Sequence, residues 1–118
     1  MKDIMISVCA GNSEVTATKP ILGVKGENLQ SRFVIDFSDT FIDGRATIEY
    51  KKASGRRGTL ELTKGNNVYM GTVGSDMTNE TPQIKCQLRV VCASTSNGVP
   101  VFKSKVFTLA VCDCVDEF

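Results

Sequence analysis

Histidine and tryptophan are both missing from this sequence of 118 residues. Histidine is the usual general base near neutral pH and the commonest metal ligand. Its absence excludes Ser-His-Asp and Cys-His catalysis and histidine-rich zinc sites. Without tryptophan the chain also lacks the Cys, Trp, Cys signature of true antibody-type domains. No apolar run approaches the roughly 20 residues that span a bilayer as a helix. The start, Met1-Lys2-Asp3-Ile4-Met5, has none of the regions of a signal peptide. Neither sign of charge dominates: 14 lysines and arginines face 13 aspartates and glutamates, a net charge of +1. A phosphate-backbone binder needs a concentrated basic surface, so no nucleic acid is expected as a partner, and no membrane. The one tight basic pair, Arg56-Arg57 with Lys51 and Lys52 nearby, is read as charge that blunts an exposed strand edge.

Chemistry-bearing groups are sparse. The cysteines, Cys9, Cys86, Cys92, Cys112 and Cys114, are odd in number and lack the spacing of a secreted disulfide framework. They read as reduced thiols acting as small apolar residues, with a disulfide or metal site as the alternative. A four-cysteine zinc site needs ligand pairs about two to four residues apart. Cys112-Asp113-Cys114 has one residue between its thiols and Cys86 to Cys92 has five, so no metal is expected. The acids Asp36, Glu49 and Glu61 fall at outward positions, and Asp39 and Asp43 flank a turn. Asp76, Asn79 and Glu80 would bind calcium only if they met Asp113, Asp116 and Glu117, without EF-hand spacing to support it. Gly55-Arg56-Arg57-Gly58 is a hairpin turn, not a phosphate loop. Tyr50 and Tyr69 are the only candidates for an exposed sugar platform, and each reads as a core or rim residue with its hydroxyl in water. No catalytic, cofactor-binding or metal-binding residue is therefore assigned, no cofactor is expected, and the chain is expected not to be an enzyme.

What the sequence does have is a period of two. Phe33, Ile35 and Phe37 alternate with polar neighbours, and Leu29 and Ser31 continue their parity. Ala46, Ile48 and Tyr50 form a second stripe, Leu60 and Leu62 a third. Ile84, Cys86, Leu88, Val90 and Cys92 alternate with Lys85, Gln87 and Arg89 in the longest clean stripe. Ile4, Ile6 and Val8 form another. In the run Val101 to Cys112, Phe102 and Val106 share one parity and Phe107, Leu109 and Val111 the other, which a β-bulge near Lys105 would reconcile. Turn clusters such as Lys25-Gly26-Glu27-Asn28, Asp43-Gly44, Ala53-Ser54-Gly55 and Ser94-Thr95-Ser96-Asn97-Gly98 separate the runs. One helical turn is allowed at Ser38–Ile42.

About seven to nine short strands, each with a wet and a dry face, must pair their dry faces. The expected fold is all-β: a two-sheet antiparallel β-sandwich, immunoglobulin-like in architecture only, with one domain over residues 1–118. The strands from Leu29, Gln83 and Val101 are expected at its centre, with a Leu60 and Val68 hairpin at an edge. Weak candidate interface residues are Gly55, Arg56 and Arg57 of the hairpin and Ser96, Asn97 and Gly98 of the later loop, since loops on rigid scaffolds carry recognition.

Several stretches carry a resemblance to a known family: Lys25-Gly26-Glu27-Asn28-Leu29-Gln30-Ser31-Arg32-Phe33-Val34-Ile35-Asp36-Phe37, Ala46-Thr47-Ile48-Glu49-Tyr50-Lys51, Leu60-Glu61-Leu62-Thr63, Val68-Tyr69, Ile84 to Val90, and Pro100 to Phe107. Together they resemble the amino-terminal β-sandwich of upper baseplate proteins from siphophages and prophages of Gram-positive bacteria, over roughly Gly23 to Val111. The resemblance implies a virion structural protein of the tail, assembled in the host bacterial cytoplasm. It would anchor to other phage tail or baseplate proteins as a homo-oligomer, through edge-strand pairing or an apolar patch. Longer relatives carry carboxy-terminal segments that hold receptor-binding proteins. This sequence ends at Phe118, just after the last run, so it is expected to be a short natural protein or an amino-terminal fragment. A carbohydrate-binding or adhesive sandwich is the alternative from a different class.

Overall fold

The computed structural model describes residues 2–18, 21–26, 28–92 and 101–112. In chain order the elements are β1 (Lys2–Val8), β2 (Val15–Ala17), β3 (Ile21–Val24), β4 (Ser31–Phe37), β5 (Gly44–Lys52), β6 (Arg57–Glu61), β7 (Thr63–Lys64), β8 (Val68–Thr72), α1 (Ser75–Thr78), β9 (Gln83–Cys92), β10 (Val101–Lys103) and β11 (Phe107–Cys112). One sheet has the order β2-β1-β4-β8-β7. The other runs β3-β11-β9-β5-β6, with β10 on β9 beside β11. No helix among the described residues is long and apolar enough to cross a membrane.

The all-β sandwich is as the period of two predicts, with 11 strands among the described residues rather than seven to nine. Its sheets are mixed, not purely antiparallel. β1 lies parallel to β4, from Lys2 opposite Ser31 to Val8 opposite Phe37, and β11 lies parallel to β3. The reason is the route of the chain. After β2 it enters the other sheet as β3 and returns as β4, and a crossover of that length lays β4 alongside β1 in the same direction. Alternation fixes which face of a strand is dry but carries no information on strand direction.

The dry faces meet in one core. Ile4, Ile6 and Val8 of β1, Phe33 and Ile35 of β4, and Tyr69 of β8 face Ile48 of β5, Ile84, Leu88 and Val90 of β9, and Leu109 and Val111 of β11, all buried. Each such aliphatic or aromatic side chain contributes about 1.5–3 kcal/mol by leaving water. At one end Phe37 meets Phe41 and Phe102 edge-on at 5.7 Å, and Phe41 stacks on Tyr69 at 5.1 Å.

Four local expectations are corrected. Leu29 does not continue the inward stripe: it precedes the strand with φ +59° and is half exposed. Ser38–Ile42 is not helical, because Phe41 and Ile42 pack on the core and Tyr69 donates its hydroxyl to the Ile42 carbonyl at 2.6 Å. Among the described residues the single helical turn is Ser75–Thr78. Leu60 and Val68 do not share a hairpin, since β6 and β8 belong to different sheets; in this stretch β6 pairs back onto β5 and β8 onto β7.

The phase conflict before β11 is resolved by an interruption at residues 104–106, where a bulge is expected. β10 pairs with Arg89–Val91 of β9 and β11 with Gln83–Cys86 on the same flank. Between them Ser104 is buried and repairs the ladder. Its N–H donates to Leu88 O at 2.9 Å, and its Oγ accepts the Leu88 N–H at 3.0 Å. Val106, expected inside with Phe102, is instead exposed, because Ser104 takes the inward place.

The connection after β4 also holds the turn that follows β1 at the same end. Asp39 accepts the N–H groups of Ala10 at 2.8 Å and Gly11 at 2.9 Å. The hydrogen bond from Ala10, followed by that from Thr40, holds its carboxyl down at about 2.

Replacing Ser104 with alanine leaves a buried N–H on Leu88 without its acceptor, and is expected to cost about 1–3 kcal/mol in urea unfolding. For Asp39 the folded value lies below the unfolded one, so its contribution is present above about pH 4 and lost as pH falls toward 2. The gap in urea midpoint between the wild-type chain and Asp39→Asn should therefore close across that window. A gap independent of pH would refute the assignment.

Candidate protein-contact surfaces

The inward stripe of β5 ends on a charge. After Ala46, Ile48 and Tyr50 comes Lys52, which parity places inside and which is only 5% exposed. A buried ammonium needs partners. Its Nζ lies 3.2 Å from both Asp76 Oδ1 and Asn79 Oδ1, and 3.7 Å from Glu80 Oε2. Tyr50 donates its hydroxyl to Asp76, and the Ser54 N–H donates to Glu80 at 2.8 Å. The Tyr50 hydrogen bond, then that from Lys52, holds Asp76 below the usual carboxylate range; Ser54 does the same for Glu80. Burial, reinforced by Asp76, pushes the Tyr50 phenol up. Gly58, opposite Tyr50 on β6, makes this possible, since any side chain there would collide with the tyrosine ring.

This cluster revises three readings. Lys52 is an internal clamp between β5 and the 75–80 segment, not part of a surface basic cluster. Asp76, Asn79 and Glu80 turn their oxygens onto a cation the protein itself supplies; Asp113, Asp116 and Glu117 lie outside the described residues. Tyr50 and Tyr69 are both buried, with hydroxyls spent on Asp76 and Ile42 rather than on water. Cys86 is buried as parity requires, and burial pushes its thiol up to about 12. Cys9, Cys92 and Cys112 are half-buried and unbridged.

Of the candidate interface residues, Gly55, Arg56 and Arg57 stand exposed at the β5–β6 turn, where Gly55 adopts φ +95° and donates its N–H to Lys52 O. Ser96, Asn97 and Gly98 lie outside the described residues. Arg57 is not isolated. On the outer face of the six-stranded sheet it lies directly opposite Lys51, which in turn lies opposite Lys85. Four residues along β9, Arg89 lies opposite Lys103. Glu49 sits between these rows, Glu61 lies across Thr47 from Arg89, and a shallow groove of about 500 Å³ lies among Glu49, Lys51, Arg57, Lys85 and Lys103. The outer face of the other sheet has a different character: Met5, Val34 and Met70 form an apolar row beside the Arg32–Asp3 ion pair at 3.1 Å. Sequence reasoning missed the basic face, because Lys51, Lys85 and Lys103 become neighbours only once the register of three strands is known.

No protein-family model matches the sequence, and no curated protein matches it. Among solved structures the chain is similar to the N-terminal domain of phage TP901-1 ORF48, with a TM-score of 0.64. The match covers 96% of this chain and 100% of that one at 6% sequence identity. The fold is therefore shared along the length of both, while almost none of the sequence is.

If Lys52 is the centre of its cluster, Lys52→Ala should destabilise the chain by about 1–3 kcal/mol, through lost hydrogen bonds and lost packing of its stem. Asp76→Asn should cost less than about 1 kcal/mol, because the Asp76 side chain is 65% exposed and water takes over its solvation. Urea unfolding of the two variants checks the order, and equal effects would contradict it.

Proposed function

We propose, on the fold shared with the N-terminal domain of phage TP901-1 ORF48, that this chain is a single-domain, non-enzymatic structural module of a bacteriophage or prophage tail, acting in the baseplate through contacts with other tail proteins. That shared fold carries the reading. The strand motifs that resemble upper baseplate proteins support it as well, since that resemblance lies in side-chain pattern and not in topology.

The disposition of the acids supports a non-enzymatic role. A general acid at neutral pH needs its pKa raised by burial or by a like charge. Asp39, Asp76 and Glu80 are shifted the opposite way, each by hydrogen bonds that tie one segment to another. The carbohydrate-binding alternative loses its platform, because Tyr50 and Tyr69 are inside the core. The remaining exposed features suit protein contacts: two sheet faces of opposite character and the Gly55–Arg57 turn; Ser96, Asn97 and Gly98, outside the described residues, are kept as candidates on sequence alone. In this reading the chain assembles in the host cytoplasm, as a homo-oligomer within the virion, without cofactor, nucleic acid or membrane.

Mass spectrometry of purified virions from a phage that encodes the chain should find it in tail fractions, and tails made without it should lack an intact baseplate. Particles devoid of the chain, together with micromolar binding of the isolated protein on glycan arrays, would overturn the proposal in favour of an adhesive role.

A further inference from the structure

We infer that the outer face of the six-stranded sheet is a docking surface for an acidic face of a partner protein. The inference deepens the tail reading by naming the contact surface, and rests on it only for the partner's place in a tail.

The register puts Arg57, Lys51 and Lys85 side by side on three adjacent strands, and Arg89 beside Lys103 further along. Like charges directly opposite each other across strands are destabilising. Elsewhere four cations are neutralised, Lys52 by Asp76 and Glu80, Lys64 by Asp43, Lys105 by Glu14 and Arg32 by Asp3, while Lys2, Lys25 and Arg56 stand singly without an ion pair among the described residues. Yet none of the five residues of the two rows, nor Arg45 on the same face, forms an ion pair among the described residues. Carboxylates from a partner would relieve a repulsion that the fold leaves in place.

The pattern also says what kind of polyanion fits. The two rows are four residues apart along β5, or about 13 Å, with Glu49 midway between them and Glu61 at the β6 end of the second. A uniform phosphate backbone would meet Glu49 as a like charge. The rows also offer no outward aromatic for base stacking, and a chain of net charge +1 gives little long-range attraction. A protein surface can place acidic groups over each row and a donor over Glu49. The surface is flat and shallow, which suits a sheet or helix face of another protein rather than an inserted peptide.

The test uses the full chain and the variant Lys51→Glu, whose change lies on the outer face at the middle of the row. The variant should unfold at the same or a higher urea concentration than the wild-type chain, because it breaks a row of like charges. Two probes are titrated at low and physiological salt: a β-hairpin peptide with glutamates spaced four residues apart, and a short DNA duplex. The wild-type chain should bind the peptide in a salt-sensitive way, and the variant should lose at least about tenfold in affinity. Tighter binding to DNA, or no binding to the peptide, would overturn the inference. In a second arm both chains are added to tail particles made without this protein and treated with a carbodiimide, which joins lysines to carboxylates in contact. Links from Lys51, Lys85 or Lys103 to another protein are expected. Equal incorporation of the variant, without such links, would sink the docking surface and spare the tail role. Peptide binding without incorporation of either chain would do the reverse.

Discussion

Along β9, Ile84, Cys86, Leu88 and Val90 point into the sandwich while Lys85, Gln87 and Arg89 point away from it, and the rest of the molecule is arranged around that alternation. β5 covers one flank of this strand from Ile84 to Cys92, and β11 and β10 divide the other. A slip of one residue in any of these pairings would place charges inside and aliphatics in water. The same constraint that builds the core therefore also assembles the basic face. Arg57, Lys51 and Lys85 are neighbours because Gly58, Tyr50 and Cys86 are.

Two sites bend the alternation, and both are held by polar atoms. At Lys52 an inward position carries an ammonium, and the helical turn at Ser75–Thr78 lies beside acceptors that surround it. At Ser104 a hydroxyl stands in for a missing ladder partner. Neither arrangement tolerates half of its partners, since a buried polar group left alone costs more than the bond contributes. These are the places where the sandwich departs from a repeating pattern, and each ties together segments distant in sequence.

The architecture was largely legible from residue order, for a simple reason: a half-buried strand must alternate. Even the break before β11 showed itself as a clash of phase between Phe102 and Leu109. Strand direction was not legible, because parallel and antiparallel partners make the same demand on side chains; β1 beside β4 depends on where β3 goes. Lys52 was misplaced because composition counts a lysine as surface, whereas parity with Tyr50 already put it inside. Of the candidate surface, Arg57 was found from its turn, but its partners on β5, β9 and β10 were hidden until register brought them together.

Strand lengths decide how such a body can associate. The edges of the two sheets are β2, β7, β3 and β6, of three, two, four and five residues, whereas the central β4 and β9 have seven and ten. Short edges offer few backbone groups to an incoming strand, and β6, the longest of them, carries Arg57 and Glu61 along its exposed side. Strand addition at an edge would gain little there. The faces differ in the other sense: each spans a full sheet, one with an apolar row through Met5, Val34 and Met70 and the other with paired rows of positive charge. Two unlike faces on opposite sides of the sandwich leave face-to-face contact, rather than strand addition, as the route by which a body of this shape can meet two different surfaces.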